Sequence, residues 1–213
     1  GRYPWATVQP RHPDGAEETA VESAIYPGSF DPITYGHLNI IERALEVFER
    51  VIVLVAINPL KRTLFTTAES VEMIREATAH WPRLEVDHHA GLLVDYARAR
   101  GVRTAVRGLR AVTDFESEFA MALTNRSLWP EFDTVFLMTR AEYMYLSSSV
   151  VRQVALMGGD VRQFVPPGVE RRLRERYGQP ARVVPGEATS GGQRPAAAPP
   201  VGLAPGANQS PCS

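Results

Sequence analysis

Apolar, β-branched runs alternate with helical patterns along the middle of the chain, and this alternation restricts the fold more than any other feature. The runs cover residues 23–26, 51–57, 84–87, 104–107 and 134–138. Their near-continuous apolar character predicts strands buried on both faces, as in a parallel sheet. Between them, 36–48, 67–79, 93–100 and 114–128 carry apolar residues at helical spacing, and 148–157 and 167–177 follow the last strand. Short links between strand and helix make each pair of strands a crossover unit. The expected fold class is therefore α/β: a doubly wound, Rossmann-like sheet of five parallel strands with helices on both faces. Ligands of such sheets sit at the carboxyl ends of the strands, at the switch point.

Composition changes sharply on either side of this block. Residues 1–22 are polar and proline-punctuated, and 179–213 are rich in Pro, Ala and Gly. Neither segment carries enough apolar surface to offset its chain entropy, so both are expected to be disordered tails around a domain at 23–178. The first 22 residues lack the apolar core of a signal peptide, and no apolar run approaches the roughly 20 residues of a membrane span. A net charge of −1 gives no global attraction to nucleic acid or to an anionic membrane. Neither is expected as a partner, and any anion site must come from local placement of basic groups. The only cysteine, Cys212, precludes an intrachain disulfide, which fits a reducing, cytoplasmic setting.

Four segments that follow strands or open helices carry residues suited to phosphate chemistry. Tyr26-Pro27-Gly28-Ser29-Phe30-Asp31-Pro32-Ile33-Thr34-Tyr35-Gly36-His37 links a strand to a helix start. Free backbone N–H groups there favour an anion, and His37 can add a donor. Gly28 lets the backbone come close to a ligand, and Gly36 is expected to clear space beside His37. Lys61 follows the second run, within Asn58-Pro59-Leu60-Lys61-Arg62, and can meet a phosphate as a point charge. Arg107 and Arg110 bracket Gly108 and Leu109 where the fourth run ends, and their forks match phosphate oxygens. Leu146-Ser147-Ser148-Ser149 opens a helix and supplies a cap together with hydroxyl and amide donors. Glu118, with Asp114 and Glu116, suits a solvated helix face, a ribose acceptor or an arginine partner. The adjacent His88 and His89 lack the spaced carboxylates or cysteines of a metal site. No Walker lysine motif or Gly-x-Ser-x-Gly elbow occurs.

Taken in order, Pro27–Thr34 with Gly36-His37, Arg107-Gly108-Leu109-Arg110, Asp114-Phe115-Glu116 and Ser147-Ser148-Ser149 closely resemble bacterial phosphopantetheine adenylyltransferases. The similarity runs from about residue 23 to 177, and Gly158-Gly159-Asp160-Val161 looks like the late segment of that family. The family belongs to the nucleotidyltransferases with a His-x-Gly-His signature. Thr34 stands at the first histidine position here, unlike in cytidylyltransferase relatives. The resemblance implies transfer of the adenylyl group of ATP to 4′-phosphopantetheine, giving dephospho-coenzyme A and pyrophosphate, the penultimate step of coenzyme A synthesis. It implies a magnesium ion bound mainly through substrate phosphates, with no protein metal ligand, and a homohexamer.

Position by position, the resemblance assigns Ser29 to both substrates. It assigns Lys61, Leu93 and Arg107 to phosphopantetheine. Phe30, His37, Gly108, Leu109, Arg110 and Glu118 go to ATP, as do Tyr143, Met144, Tyr145, Leu146, Ser147, Ser148 and Ser149. His37, Lys61 and Arg107 would carry the catalysis. Ser117, in place of a common aromatic, and the Met144-Tyr145 pair depart from the family's usual residues. Three other readings are distinguishable from this one. An adenylyltransferase for nicotinamide mononucleotide fits poorly with the Arg-Gly-Leu-Arg and triple-serine pairing. A regulator without turnover would have lost His37, Lys61 or an arginine. A scaffold that docks a partner through its Pro-rich tail would need a stronger docking motif than that tail has.

Overall fold

The structure, a computed structural model, describes residues 23–178. The two expected tails lie outside these residues. The strands are β1 (Ser23–Gly28), β2 (Arg50–Ile57), β3 (Leu84–Ala90), β4 (Thr104–Leu109) and β5 (Asp133–Met138). The helices are α1 (Tyr35–Val47), α2 (Thr67–Thr78), α3 (Leu93–Arg100), α4 (Val112–Leu128), α5 (Ser148–Leu156) and α6 (Pro167–Tyr177), with a short 3-10 turn at Ala141–Tyr143. All five strands run parallel in the order β3-β2-β1-β4-β5. Beyond β3 the chain crosses back to β4, on the other side of β1. The switch point therefore falls between the carboxyl ends of β1 and β4.

Alternation along the central strands builds two cores. Ala24 and Tyr26 of β1 and Val51, Val53 and Val55 of β2 face one side. Their intervening neighbours Ile25, Ile52 and Leu54 face the other. The first face is covered by α1, through Ile40, Ile41, Ala44 and Leu45, and by α2, α5 and α6. The second is covered by α3, through Val94 and Ala97, and by Phe132 before β5. A glycine in β4 permits the close seating of α1: a Cβ on Gly108 would lie 2.9 Å from Ile40 Cγ1.

The helix ends follow local chemistry. Thr66 caps α2 and Glu69 reaches back to the Thr66 N–H at 2.7 Å, a reciprocal capping box. Pro167 takes the first position of α6. Arg83 closes the carboxyl end of α1, donating to Leu45 O at 2.8 Å and to Phe48 O and Glu49 O at 3.2 Å each. Four boundaries differ from the sequence reading by more than one residue at one end, and β1 and β4 each run two residues further, to Gly28 and Leu109. β3 continues through His88, His89 and Ala90 because they pair in register with Val55, Ala56 and Ile57 of β2. α4 begins at Val112, two residues before Asp114.

Candidate active site

The loop after β1 enters the switch point with its backbone in an unusual conformation. Phe30 has φ 44°, the left-handed region that bulky residues avoid. Packing holds it there, since Phe30 is 2% exposed. Its ring meets Tyr26 and His37 edge-on, at centroid separations of 5.4 Å and 5.2 Å. A Cβ at Gly28 would stand 2.8 Å from the Phe30 ring, so the glycine makes room for this ring. Around Gly36 the packing is looser than the sequence suggested, with Thr34 Oγ1 and Tyr143 Cβ at ordinary contact distances of 3.5 Å and 3.6 Å from a built Cβ.

Thr34 caps α1 and His37 occupies the third helical position, where a capping box ordinarily has Glu or Gln. The Thr34 backbone N–H donates to His37 Nδ1 at 3.0 Å. Nδ1 must therefore carry a lone pair, which in the neutral ring places the proton on Nε2. Burial, reinforced by Arg110 and Arg107, lowers the His37 pKa to about 4. The ring is only half-buried at the cavity wall, so solvent moderates this shift. Near pH 7 the imidazole is a neutral donor.

The sign of this shift gives a stability prediction. His37 binds a proton less readily folded, at about 4, than unfolded, at 6.5. As pH falls the unfolded chain is protonated first, so stability is complete above about 6.5 and declines toward 4. In denaturant melts between pH 7 and pH 4, His37→Gln is expected to show a shallower acid decline than wild type. Parallel curves would mean that the ring titrates normally.

Arg107, in β4, and Arg110, just after it, are both held by carboxylates of α4. Arg107 makes a two-pronged pair with Glu118, Nε to Oε2 at 2.6 Å and Nη2 to Oε1 at 2.5 Å, and also donates to Pro27 O. Burial opposes the Arg107 charge, but Glu118 outweighs it and holds the guanidinium pKa above its usual value. Arg110 is braced by Asp114 at 2.9 Å and 3.2 Å and donates to Leu146 O at 3.1 Å. Ser147 caps α5 by accepting from the Val150 N–H at 3.2 Å, and the Ser148 hydroxyl donates to Pro32 O at 2.7 Å.

These groups surround a cavity of about 510 Å³. Ser29, Phe30, His37 and Lys61 line it, as do Arg107, Gly108 and Arg110. Glu118 and Leu146 through Ser149 complete the predicted set found there. Leu109 points into the fold and is 8% exposed, and Leu93 packs beside the second core. Neither lines the cavity, nor do Tyr143, Met144 and Tyr145. The sequence reading missed Asp31 and Arg152 as site residues, although both line the cavity and pair at 2.9 Å. One signal pointed to Arg152: it lies one helical turn beyond Ser148. Arg62 also faces the cavity, so five cationic side chains there exceed the three carboxylates of Asp31, Asp114 and Glu118. A chain of net charge −1 thus concentrates positive charge at one crevice, suited to a polyphosphate.

Among the described residues no three His, Cys, Asp or Glu side chains are grouped to hold a metal. The cavity carboxylates are already engaged by guanidinium or backbone N–H groups. Among the described residues the cavity thus holds no group of unengaged carboxylates. No helix among the described residues is long and apolar enough to cross a membrane.

The sequence pattern of the cytidylyltransferase-like family matches residues 25–154. A phosphopantetheine adenylyltransferase from Heliobacterium modesticaldum is 55% identical over 159 residues, 75% of this chain and 95% of the relative. One from Carboxydothermus hydrogenoformans is 53% identical over 154 residues, 72% of this chain and 95% of the relative. Among solved structures, a bifunctional NMN adenylyltransferase/ADP ribose pyrophosphatase from Francisella tularensis superposes with a TM-score of 0.56 at 17% identity. That superposition covers 72% of this chain and 49% of the other, and it shows the shared Rossmann-like fold. The matched pattern spans the loop after β1, the arginines around the end of β4 and the serine cap of α5, and with these relatives the chain belongs to the phosphopantetheine adenylyltransferase family of nucleotidyltransferases.

Proposed function

We propose that this chain transfers the adenylyl group of ATP to 4′-phosphopantetheine, releasing pyrophosphate and forming dephospho-coenzyme A. The observation that carries this reading is the cationic cavity at the switch point, with a neutral imidazole donor in its wall, in a chain 53–55% identical over 154–159 residues to enzymes named for this activity. The acceptor phosphate is already a nucleophile. Its oxygen bonds to the α-phosphorus as the bond to the β-phosphate oxygen breaks, and pyrophosphate takes the electron pair. No proton moves and no covalent enzyme intermediate forms. The protein contributes positioning and charge stabilisation.

Lys61 and Arg107 hold the acceptor phosphate and reduce its repulsion with ATP. His37 Nε2–H donates to the α-phosphate as charge builds on its oxygens. Arg110 and the amino end of α5 hold the β- and γ-phosphates, with Ser29 facing both substrates. Leu93 opens α3 just beyond β3, at the same carboxyl edge of the sheet, and supports a path for the pantetheine arm along that edge. A magnesium ion accompanying ATP would add positive charge to its phosphates.

The test is product identification by mass after incubation with ATP, magnesium and either 4′-phosphopantetheine or nicotinamide mononucleotide. Dephospho-coenzyme A formed only with the first acceptor is expected, and adenylation of the second alone would overturn the reading. A homohexamer acting in the cytoplasm completes the proposal. The single cysteine supports the compartment. Phe115, Phe119, Met121 and Leu123, exposed along α4, support assembly. Light scattering should give about six times the 23.5 kDa chain mass, and a monomer at micromolar concentration would exclude the hexamer.

A further inference from the structure

Asp31 joins three parts of the cavity through one buried carboxylate. The residue is 4% exposed. Oδ1 accepts from the Leu64 N–H at 3.1 Å and the Phe65 N–H at 3.0 Å. Oδ2 accepts from Leu64 at 2.9 Å and from Arg152 Nη1 at 2.9 Å, and Arg152 also donates to Asp31 O. Leu64 ends the loop that carries Lys61, and Arg152 stands on α5, behind the serines. Hydrogen bonds of Leu60 and Lys61 stay inside the loop, Leu60 N–H to Asn58 Oδ1 at 2.9 Å and Lys61 N–H to Asn58 O at 3.0 Å. Leu60 itself is 93% exposed. Phe65 packs into the core at 3% exposure, and the Asp31 bonds are the hydrogen bonds that tie this end of the loop to the segment after β1 and, through Arg152, to α5.

We propose that Asp31 is a positioning residue that registers the Lys61 loop against α5, and so fixes the spacing between the acceptor-phosphate and triphosphate halves of the site. This inference rests on the proposed adenylyl transfer. Its physical ground is that in-line attack needs reacting atoms about 3–3.5 Å apart, so a small drift of Lys61 is felt in the rate. A carboxylate is required for the junction because it must accept on both sides. An asparagine keeps one acceptor for the loop amides but turns its NH₂ toward the Arg152 guanidinium, donor against donor.

The experiment is a double-mutant cycle between Asp31→Asn and Lys61→Ala, read as kcat/KM for 4′-phosphopantetheine. Asp31→Asn is expected to cost roughly 10-fold or more in the wild-type background and less than about 3-fold when Lys61 is already alanine. Equal losses in the two backgrounds would reduce Asp31 to a general structural role and overturn the proposal. Hydrogen exchange at the Leu64 and Phe65 amides supplies a readout independent of activity and of the folding of Asp31→Asn. Arg152→Gln should speed exchange at both by about 5-fold or more, because their acceptor loses its anchor on α5. Unchanged exchange would also overturn the proposal. If wild type forms no dephospho-coenzyme A, the reaction assignment fails, and the exchange result still decides the junction.

Discussion

His37→Ala is expected to lower kcat by roughly 10²–10³, about 2.7–4 kcal/mol of barrier, the range for loss of one preorganised oxyanion donor. The Thr34 N–H on Nδ1 directs the other ring nitrogen, with its proton, away from the helix cap. On the proposed mechanism that donor is worth most when negative charge peaks on the α-phosphate oxygens. The KM for ATP should change much less than kcat, since an interaction made chiefly in the transition state contributes little to ground-state binding. Steady-state kinetics on a variant with an unchanged melting curve would make the comparison. Near-normal turnover would remove His37 from the chemistry. A rise in KM at constant kcat would reassign it to ordinary ATP binding.

Arg107→Ala should do comparable damage by a different route. The substitution removes a cation and also leaves Glu118, 18% exposed, with no guanidinium beside it. A lone carboxylate would then repel the phosphates that the site must hold. Loss of one member of such a pair costs about 2–5 kcal/mol, so kcat/KM for 4′-phosphopantetheine should fall by roughly 30- to 5,000-fold. Adding Glu118→Ala should recover part of the loss, because the orphaned negative charge goes with it. A double variant no better than Arg107→Ala would show that the missing cation alone accounts for the defect. Arg107→Lys should not substitute, because an ammonium cannot span both Glu118 oxygens and Pro27 O together.

Much of this site was readable before any fold was known. Gly28, Ser29, His37, Lys61, Arg107, Arg110 and the serines at 147–149 each lie where an apolar run ends or a helical pattern begins, and a doubly wound sheet gathers such places at one edge. The Thr66 cap and Pro167 were visible for the same local reason. The pairings were not. Asp31 and Arg152 are 121 residues apart, and nothing in either neighbourhood names the other. Glu118 had three plausible roles as a residue in a helix, and only the seating of α4 against β4 makes it the partner of Arg107. The reach of β3 through two histidines was hidden as well, because backbone pairing with β2 sustains it whatever the side chains are.

The sequence by itself determined the alternation of strands and helices, the order of the cavity-lining segments and the family. Those depend on periodicity, caps and residue identity within a few positions of each other. Only the tertiary structure decided which carboxylate neutralises which arginine, and which histidine nitrogen keeps its proton. It alone showed that one buried aspartate joins the lysine loop to α5. These groups act on each other over a few ångströms, whether 3 residues apart like Thr34 and His37 or 121 apart like Asp31 and Arg152, and residue order alone does not supply that geometry.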